Sequence, residues 1–360
     1  MLRADVITWR PFALGLALVV STACSAGAGE FKSNWGKTSD RVWIGPDWWA
    51  NRAEDWRIHD GRLECVQPGM RTAYLATRTL GGSFQLSVRT GMLGKPDTLD
   101  EHTLTGFFFS NMGKDDYKTP DFVRIQASAK MLFAGLDGEG HLIVFLGRDQ
   151  VELSKKRLAR HENEDIRLEV RAVPDGEGYS LEFAAFDHKT GKLLDRLKLE
   201  GYPQDLPAER LNGYVALAAW STSATEGGKP RTPVPYWYRD FKLSGKDVET
   251  HAERRHGPVV DVQYTIQPKL RILDLTARLL PIGEKDVQTA RLEIRRKGEQ
   301  DWKVAATGKV RVPGYEVPFR VKEFDESKPS EYRVVCTMRN TNGKETEHTW
   351  SGQIPEAVKP

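Results

Sequence analysis

The chain has 360 residues, 39% of them hydrophobic and 29% charged, which is enough for two or three domains that each bury a core without staples. Its formal net charge is only +3, with Lys and Arg interspersed among Asp and Glu. That pattern argues against a nucleic-acid surface, which needs clustered basic residues. The first predicted element is a targeting signal over residues 1–28. Arg3 and Arg10 give a positive start, residues 12–20 (FALGLALVV) are apolar, and small residues fill 21–28. The apolar run is far short of the ~20 residues of a spanning helix. Two processing routes follow. Cys24 after a small residue fits a lipoprotein site, although Ser21 stands where such sites usually have Leu. Cleavage after Ala26, Gly27 and Ala28 is the other route. Either way the expectation is an exported protein of the periplasm or cell surface, anchored at most through a lipid.

Beyond residue 28 the alternation of half-buried strands recurs. Phe84, Leu86 and Val88 alternate with Gln85, Ser87 and Arg89. Ile166, Leu168 and Val170 alternate with Arg167, Glu169 and Arg171. Turn pairs separate the runs: Asp137-Gly138, Asp175-Gly176, Gly191-Lys192 and Asn212-Gly213. Residues 155–164 are the one stretch read as a possible short helix, without a clean apolar stripe. Residues 246–257 are polar, charged and aperiodic, and read as a linker. After it come four more strands. Leu270, Ile272, Leu275 and Ala277 mark the first, with a bulge at Leu273. Leu292 and Ile294 mark the second, Tyr315 to Val321 the third, and Tyr332 to Met338 the fourth, closed by an Asn342-Gly343 turn. The expected fold is all-β: a concanavalin A-like jelly-roll sandwich over 29–245, then a fibronectin III/immunoglobulin-like sandwich over 258–355.

Chemistry-bearing residues are sparse. Of three cysteines, Cys65 and Cys336 lie in alternating strands far apart in sequence, as buried small hydrophobes do. The eight His are scattered singly, with no H-x-H or H-E-x-x-H, so each reads as solvated or capping. Asp97, Asp100, Glu101 and His102 form an acidic loop, and Asp115 and Asp116 another. Loop carboxylates suit Ca²⁺, but this spacing fits no defined calcium loop, and solvated carboxylates are the expectation. No strand carries the alternating acids of a retaining glycosidase. Aromatics are the stronger signal. Trp35, Trp43, Trp48, Trp49 and Trp56 crowd one segment, and Trp220, Tyr236, Trp237 and Tyr238 close the first domain. Flat aromatic faces complement the C–H faces of sugar rings, which makes Trp48, Trp49, Trp220 and Trp237 the candidate ligand-binding residues. The alternative for each is core packing. The long loop 221–235 is the candidate rim of such a site.

Two stretches carry a family resemblance. Residues 42–65 (VWIGPDWWANRAEDWRIHDGRLEC) and 236–245 (YWYRDFKLSG) together resemble the concanavalin A/laminin G-like domain at the front of bacterial PhoD-type alkaline phosphatases. Residues 256–296 and 319–336 are similar to the fibronectin-like segment that precedes the catalytic domain in that family. The resemblance implies a metal-dependent phosphatase domain beginning about where this chain stops, at Pro360. Its Asp, Asn and His ligand motifs cannot be located here, so no catalytic residue is carried over. The expected function is an exported, non-catalytic accessory module that binds a glycan or other extracellular substrate. One alternative is a secreted phosphatase or phosphodiesterase whose catalytic domain follows Pro360. A second is a glycoside hydrolase of the keto-disaccharide type on the first sandwich.

Overall fold

The computed structural model describes residues 29–67, 69–94, 99, 103–110, 131–147, 149–161, 164–200, 206, 208–221 and 234–356. They form an all-β protein with two sandwich-like sheet systems, the first jelly-roll-like. One sheet of the first sandwich runs, strand by strand, Leu193–Leu199, Gly178–Asp187, Ile166–Asp175, Phe84–Met92, Tyr236–Gly245, Arg62–Cys65 and Trp56–His59, with Phe31–Lys32 paired on Tyr236–Gly245. The facing sheet runs Asp149–Leu153, Leu142–Leu146, Leu132–Asp137, Thr103–Ser110 and Tyr214–Ser221. Met70–Leu75 and Trp48–Ala50 continue it, through a bridge between Gly69 and Trp220.

The alternation seen in the sequence supplies the core. Phe84, Leu86 and Val88 point inward from one sheet, and Phe107, Phe109, Leu217 and Val144 meet them from the other. A short polar ladder crosses this interior. Tyr238 Oη donates to the Ala218 carbonyl at 2.8 Å and lies 2.9 Å from Thr105 Oγ1, so its hydroxyl is satisfied away from water. Residues 155–161 form no helix. Among the described residues the α-helix is the single turn Ala208–Leu211. The Asp137-Gly138 pair does make the expected hairpin turn. Asp137 Oδ1 accepts the N–H groups of Gly140 and His141 at 2.7 and 2.8 Å.

The second sandwich packs Val259–Gln267, Ile272–Leu279 and Glu316–Lys322 against Lys303–Lys309, Thr289–Arg296, Ser330–Arg339 and Glu345–Ile354. One sequence expectation fails here. No bulge occurs at Leu273, because the register against Glu316–Lys322 is continuous. Leu270 instead sits in a 3₁₀ turn, 63% exposed, and the next residue, Arg271, is left-handed at φ +51°. That turn shifts the phase by one, so Leu273, Leu275, Ala277 and Leu279 are the buried set.

The segment 246–257 is not a free linker. Val248 is buried, Glu249–Thr250 pairs with Arg78–Thr79, and His251 N donates to the Thr77 carbonyl. The seam between the sandwiches is made mostly by residues 37–49. Val42 and Trp43 N–H groups both donate to the Pro281 carbonyl, Thr341 N to Lys37 O, and His256 N to Pro46 O. Arg41 crosses the seam to Asp286 at 3.1 Å with both side chains almost fully buried. Its Nη2 also donates to the Arg339 carbonyl at 2.9 Å. Trp43 leaves its own sandwich altogether and joins the core of the second, with Leu273, Val334 and Met338.

Candidate functional site

A sandwich sheet normally buries one face and solvates the other. The sheet centred on Thr103–Ser110 departs from this. Its inward residues Phe107 and Phe109 belong to the main core, while Leu104 and Phe108, on the opposite face, belong to a separate apolar cluster. Period-two geometry builds the rest of that cluster: Tyr214, Ala216, Ala218 and Trp220 from one strand, Phe133 and Ile143 from others, and Tyr74 from Met70–Leu75. Trp49 and Phe145 are half-buried at its margins. The rings are ordered against one another. Phe133 stacks on Trp220 with centroids 5.3 Å apart and planes 17° from parallel. Phe108 meets the same indole at 5.7 Å, and Tyr74 meets Tyr214 edge-on at 6.0 Å. Small residues make room for them. A Cβ on Gly135 would lie 2.2 Å from the Phe133 ring, so that ring lies directly over the backbone.

The four candidate tryptophans separate. Trp49 and Trp220 come together in this outer layer. Trp220 is 8% exposed, and its indole N–H, like those of Trp35, Trp43 and Trp56, has no hydrogen-bond partner among the described residues. Trp48 is a correction. It points the other way, 3% exposed, and packs in the main core between Trp35 at 5.1 Å and Phe241 at 5.0 Å. Trp237 is also apart, on the outer side of the opposite sheet, where Arg62 covers its ring at 5.7 Å. It fits there because residue 91 is glycine: a Cβ would lie 2.8 Å from its Nε1. Core packing, the alternative weighed for each tryptophan, describes Trp48 fully. Loop residues 222–233, Cys24, and the acidic residues Asp97, Asp100, Glu101, His102, Asp115 and Asp116 lie outside the described residues.

The aromatic layer ends at the seam. Trp49 meets the His256 ring at 5.1 Å, and Arg254 covers the Tyr214 ring and donates to its hydroxyl. Along the same seam Trp43 meets His348 edge-on at 4.8 Å. Both imidazoles are half-buried, where the expectation was solvated or capping His. Burial pulls each down to about 4, and neighbouring cations add to the effect for His348. They are therefore neutral near pH 7. No local spacing marks them, since their partners lie some two hundred residues away or more.

A cleft of about 530 Å³ opens on the other side of the seam, lined by Asp40, Arg57, His59, Glu284, Lys285 and Tyr315 among others. His59 Nδ1 lies 2.7 Å from Asp40 Oδ2, and Arg57 is held by the buried Glu64 at 2.8 Å. These charges mostly satisfy one another rather than aim at a common point. Among the described residues no group of three or more His, Cys, Asp or Glu could hold a metal. Burial raises the Cys65 thiol, and pushes that of Cys336 up to about 12, so neither is a thiolate at neutral pH. No helix of the described residues is long and apolar enough to cross a membrane.

No protein-family model matches the chain, and no curated protein matches it significantly. It is similar to several solved structures at low identity. Arcelin-5, a lectin-like defense protein from Phaseolus vulgaris, gives a TM-score of 0.43 at 9% identity, over 62% of this chain and 100% of that one. Lectin II from Ulex europaeus gives 0.42 at 11% identity, over 61% and 98%. The Ca²⁺-bound exoplasmic/lumenal domain of VIP36 gives 0.40 at 9% identity, over 61% and 95%.

Proposed function

We propose that this chain is an exported, non-catalytic binding module whose first sandwich engages a glycan through the outer aromatic layer. The observation that carries the reading is that layer: seven aromatic rings on the sheet face that should be polar, with Trp49 and Phe145 half-buried at its margin. Rings of this kind complement sugar C–H faces, and the half-buried Trp49 and Phe145 at the margin are the ones open to a ligand. The reading requires no cofactor. The reading takes residues 1–28 as an export signal, processed at Cys24 by lipidation or after residues 26–28 by ordinary cleavage, and so takes the module to work in the periplasm or on the cell surface.

The test is binding of the purified chain to a panel of polysaccharides and cell-wall fractions, read by calorimetry. Trp49→Ala is the informative variant. It removes a half-buried ring at the margin, so it should abolish binding while leaving the melting temperature within a few degrees. Trp220→Ala should also abolish binding but costs about 3–5 kcal/mol of stability, as loss of a buried indole does. An intact protein with no affinity for any fraction overturns the proposal.

A second reading rests on the resemblance to PhoD-type alkaline phosphatases. The two stretches that carry it, 42–65 and 236–245, are hydrogen-bonded neighbours, with Tyr236 opposite Cys65. On this reading the sandwiches precede a metallophosphatase domain in a longer polypeptide. The intact mass of the native protein, with phosphatase assays after adding Ca²⁺, Fe or Zn²⁺, separates the two readings. No observation among the described residues favours the glycosidase alternative.

A further inference from the structure

In the first sandwich, the sheet that holds Phe84–Met92 and Tyr236–Gly245 carries charges on its outer face that its own side chains do not balance. Core residues occupy one side of each strand: Leu86 and Val88, Leu168 and Val170, Tyr236 and Tyr238. The alternate positions point outward. There Arg167, Arg89 and Arg239 stand in register across three neighbouring strands. Neighbouring strands lie only about 5 Å apart, and like charges directly opposite are destabilising, so the row needs anions. Arg89 has two, Asp165 at 2.6 Å and Asp240 at 2.7 Å, and Arg167 has Glu169 at 2.8 Å. Arg239 has no ion-pair or hydrogen-bond partner among the described residues, and neither have Lys242 and Arg171 on the same face. Lys242 and Arg171 are exposed and Arg239 is half-buried. Further acids of the face are already engaged. Glu64 lies 2.8 Å from both Arg57 and Arg62, and Glu182 lies 3.7 Å from both Arg196 and Lys198.

Two further features point to the chemistry of a partner. Arg171 lines a shallow depression of about 290 Å³ together with Ser83, Gln85 and Ser244. A guanidinium with hydroxyl and amide donors beside it suits phosphate oxygens. The other feature is the entry of the chain. Phe31–Lys32 pairs on Tyr236–Gly245 with Lys32 opposite Lys242, so the first described strand lies on this same sheet. From Cys24 to Phe31 an extended chain spans at most about 25 Å.

We propose that this face docks on an anionic phospholipid surface, with Arg171, Arg239 and Lys242 over the headgroup phosphates. The aromatic layer, on the outer side of the opposite sheet, is then turned away from the bilayer. A lipid on Cys24 holds the face within reach of the surface, and a basic patch is the second signal that turns marginal lipid anchoring into stable attachment. The anchor rests on residues 1–28 being an export signal, whereas the affinity of the face for lipid does not. Each cation near such a surface gains about fivefold in binding, so the three together supply on the order of a hundredfold.

Cosedimentation of the unlipidated chain from Gly29 onward with vesicles tests this, whatever the processing at Cys24. The chain should bind vesicles of equal parts phosphatidylcholine and phosphatidylglycerol, lose that binding as salt is raised, and ignore vesicles of phosphatidylcholine alone. Arg171→Gln, Arg239→Gln and Lys242→Gln combined should weaken binding on the order of a hundredfold and leave the melting temperature within a few degrees. The same change of net charge at exposed lysines of the second sandwich, Lys269→Gln, Lys297→Gln and Lys309→Gln, should weaken it only slightly. Trp49→Ala, which tests the aromatic layer, should leave vesicle binding unchanged. No binding to the anionic vesicles overturns the proposal. So does an equal loss in the two triple variants, which would make net charge alone the cause. Tighter binding to soluble polygalacturonate than to the vesicles, lost in the first triple variant, would assign the face to an acidic polymer and overturn it too.

Discussion

Arg41 and Asp286 make the most consequential single contact in the molecule. Their charges meet at 3.1 Å with essentially no solvent, and each has further bonds that complete its valence: Arg41 to the Ser39 and Arg339 carbonyls, Asp286 to the Gly283 and Arg339 N–H groups. Removing one partner leaves an uncompensated buried charge, whereas removing both leaves only space to fill. Arg41→Met and Asp286→Leu should therefore each cost about 3–5 kcal/mol, and the pair together should recover most of that loss. Urea denaturation of the four proteins of this double-mutant cycle checks the claim. A pair whose losses simply add would show that the ion pair is not the source of the effect. The same residues mark a limit of sequence reading. Nothing in the stretch from Ser39 to Trp43 announces a partner nearly 250 residues away, and single His residues such as His348 look fully solvated until the fold half-buries them.

At the scale of elements, period-two alternation was a sufficient guide to most strands. Phe84, Leu86 and Val88 are buried as their spacing requires, and Asp137-Gly138 and Asn342-Gly343 close hairpins as their turn chemistry requires. Alternation misleads where a local turn changes its phase. Leu270 and Ile272 continue an apparent apolar face, but the 3₁₀ turn ending at Arg271 resets it, and Leu273 becomes a core residue. The contrast is measurable. Leu273→Ala should cost about 2–5 kcal/mol, as for a fully enclosed leucine, while Leu270→Ser should stay within about 0.5 kcal/mol. Equal costs would mean that the sequence-level phase is the true one. The outer aromatic layer was half legible for the same reason. Its residues alternate with core residues on the strands that carry them, so Trp48 and Trp49, adjacent in sequence, go to opposite faces, and only Trp49 reaches the layer. The segment 246–257 was illegible, because its anchors are one buried Val248, two backbone pairs and a half-buried imidazole rather than a periodic pattern.

At the scale of the molecule, the two sandwiches are not independent folding units. The second has seven strands of its own, but its core includes Trp43 from the first, and its buried Asp286 finds its cation in Arg41. A fragment beginning at residue 258 would thus lose a large buried ring and leave a carboxylate without its guanidinium. Each defect costs about 3–5 kcal/mol, against a typical domain stability of about 5–15. Such a fragment should be unfolded or only marginally folded by circular dichroism and denaturant titration. A synthetic peptide of residues 37–49 restores the missing ring, the guanidinium and the backbone donors to Pro281, so adding it in excess should raise the fragment's unfolding midpoint in a concentration-dependent way. The same peptide with Trp43→Ala and Arg41→Met should not. A fragment that folds fully without the peptide would show that the strap is an accessory to the second sandwich, and would remove the reason for its close packing on His348.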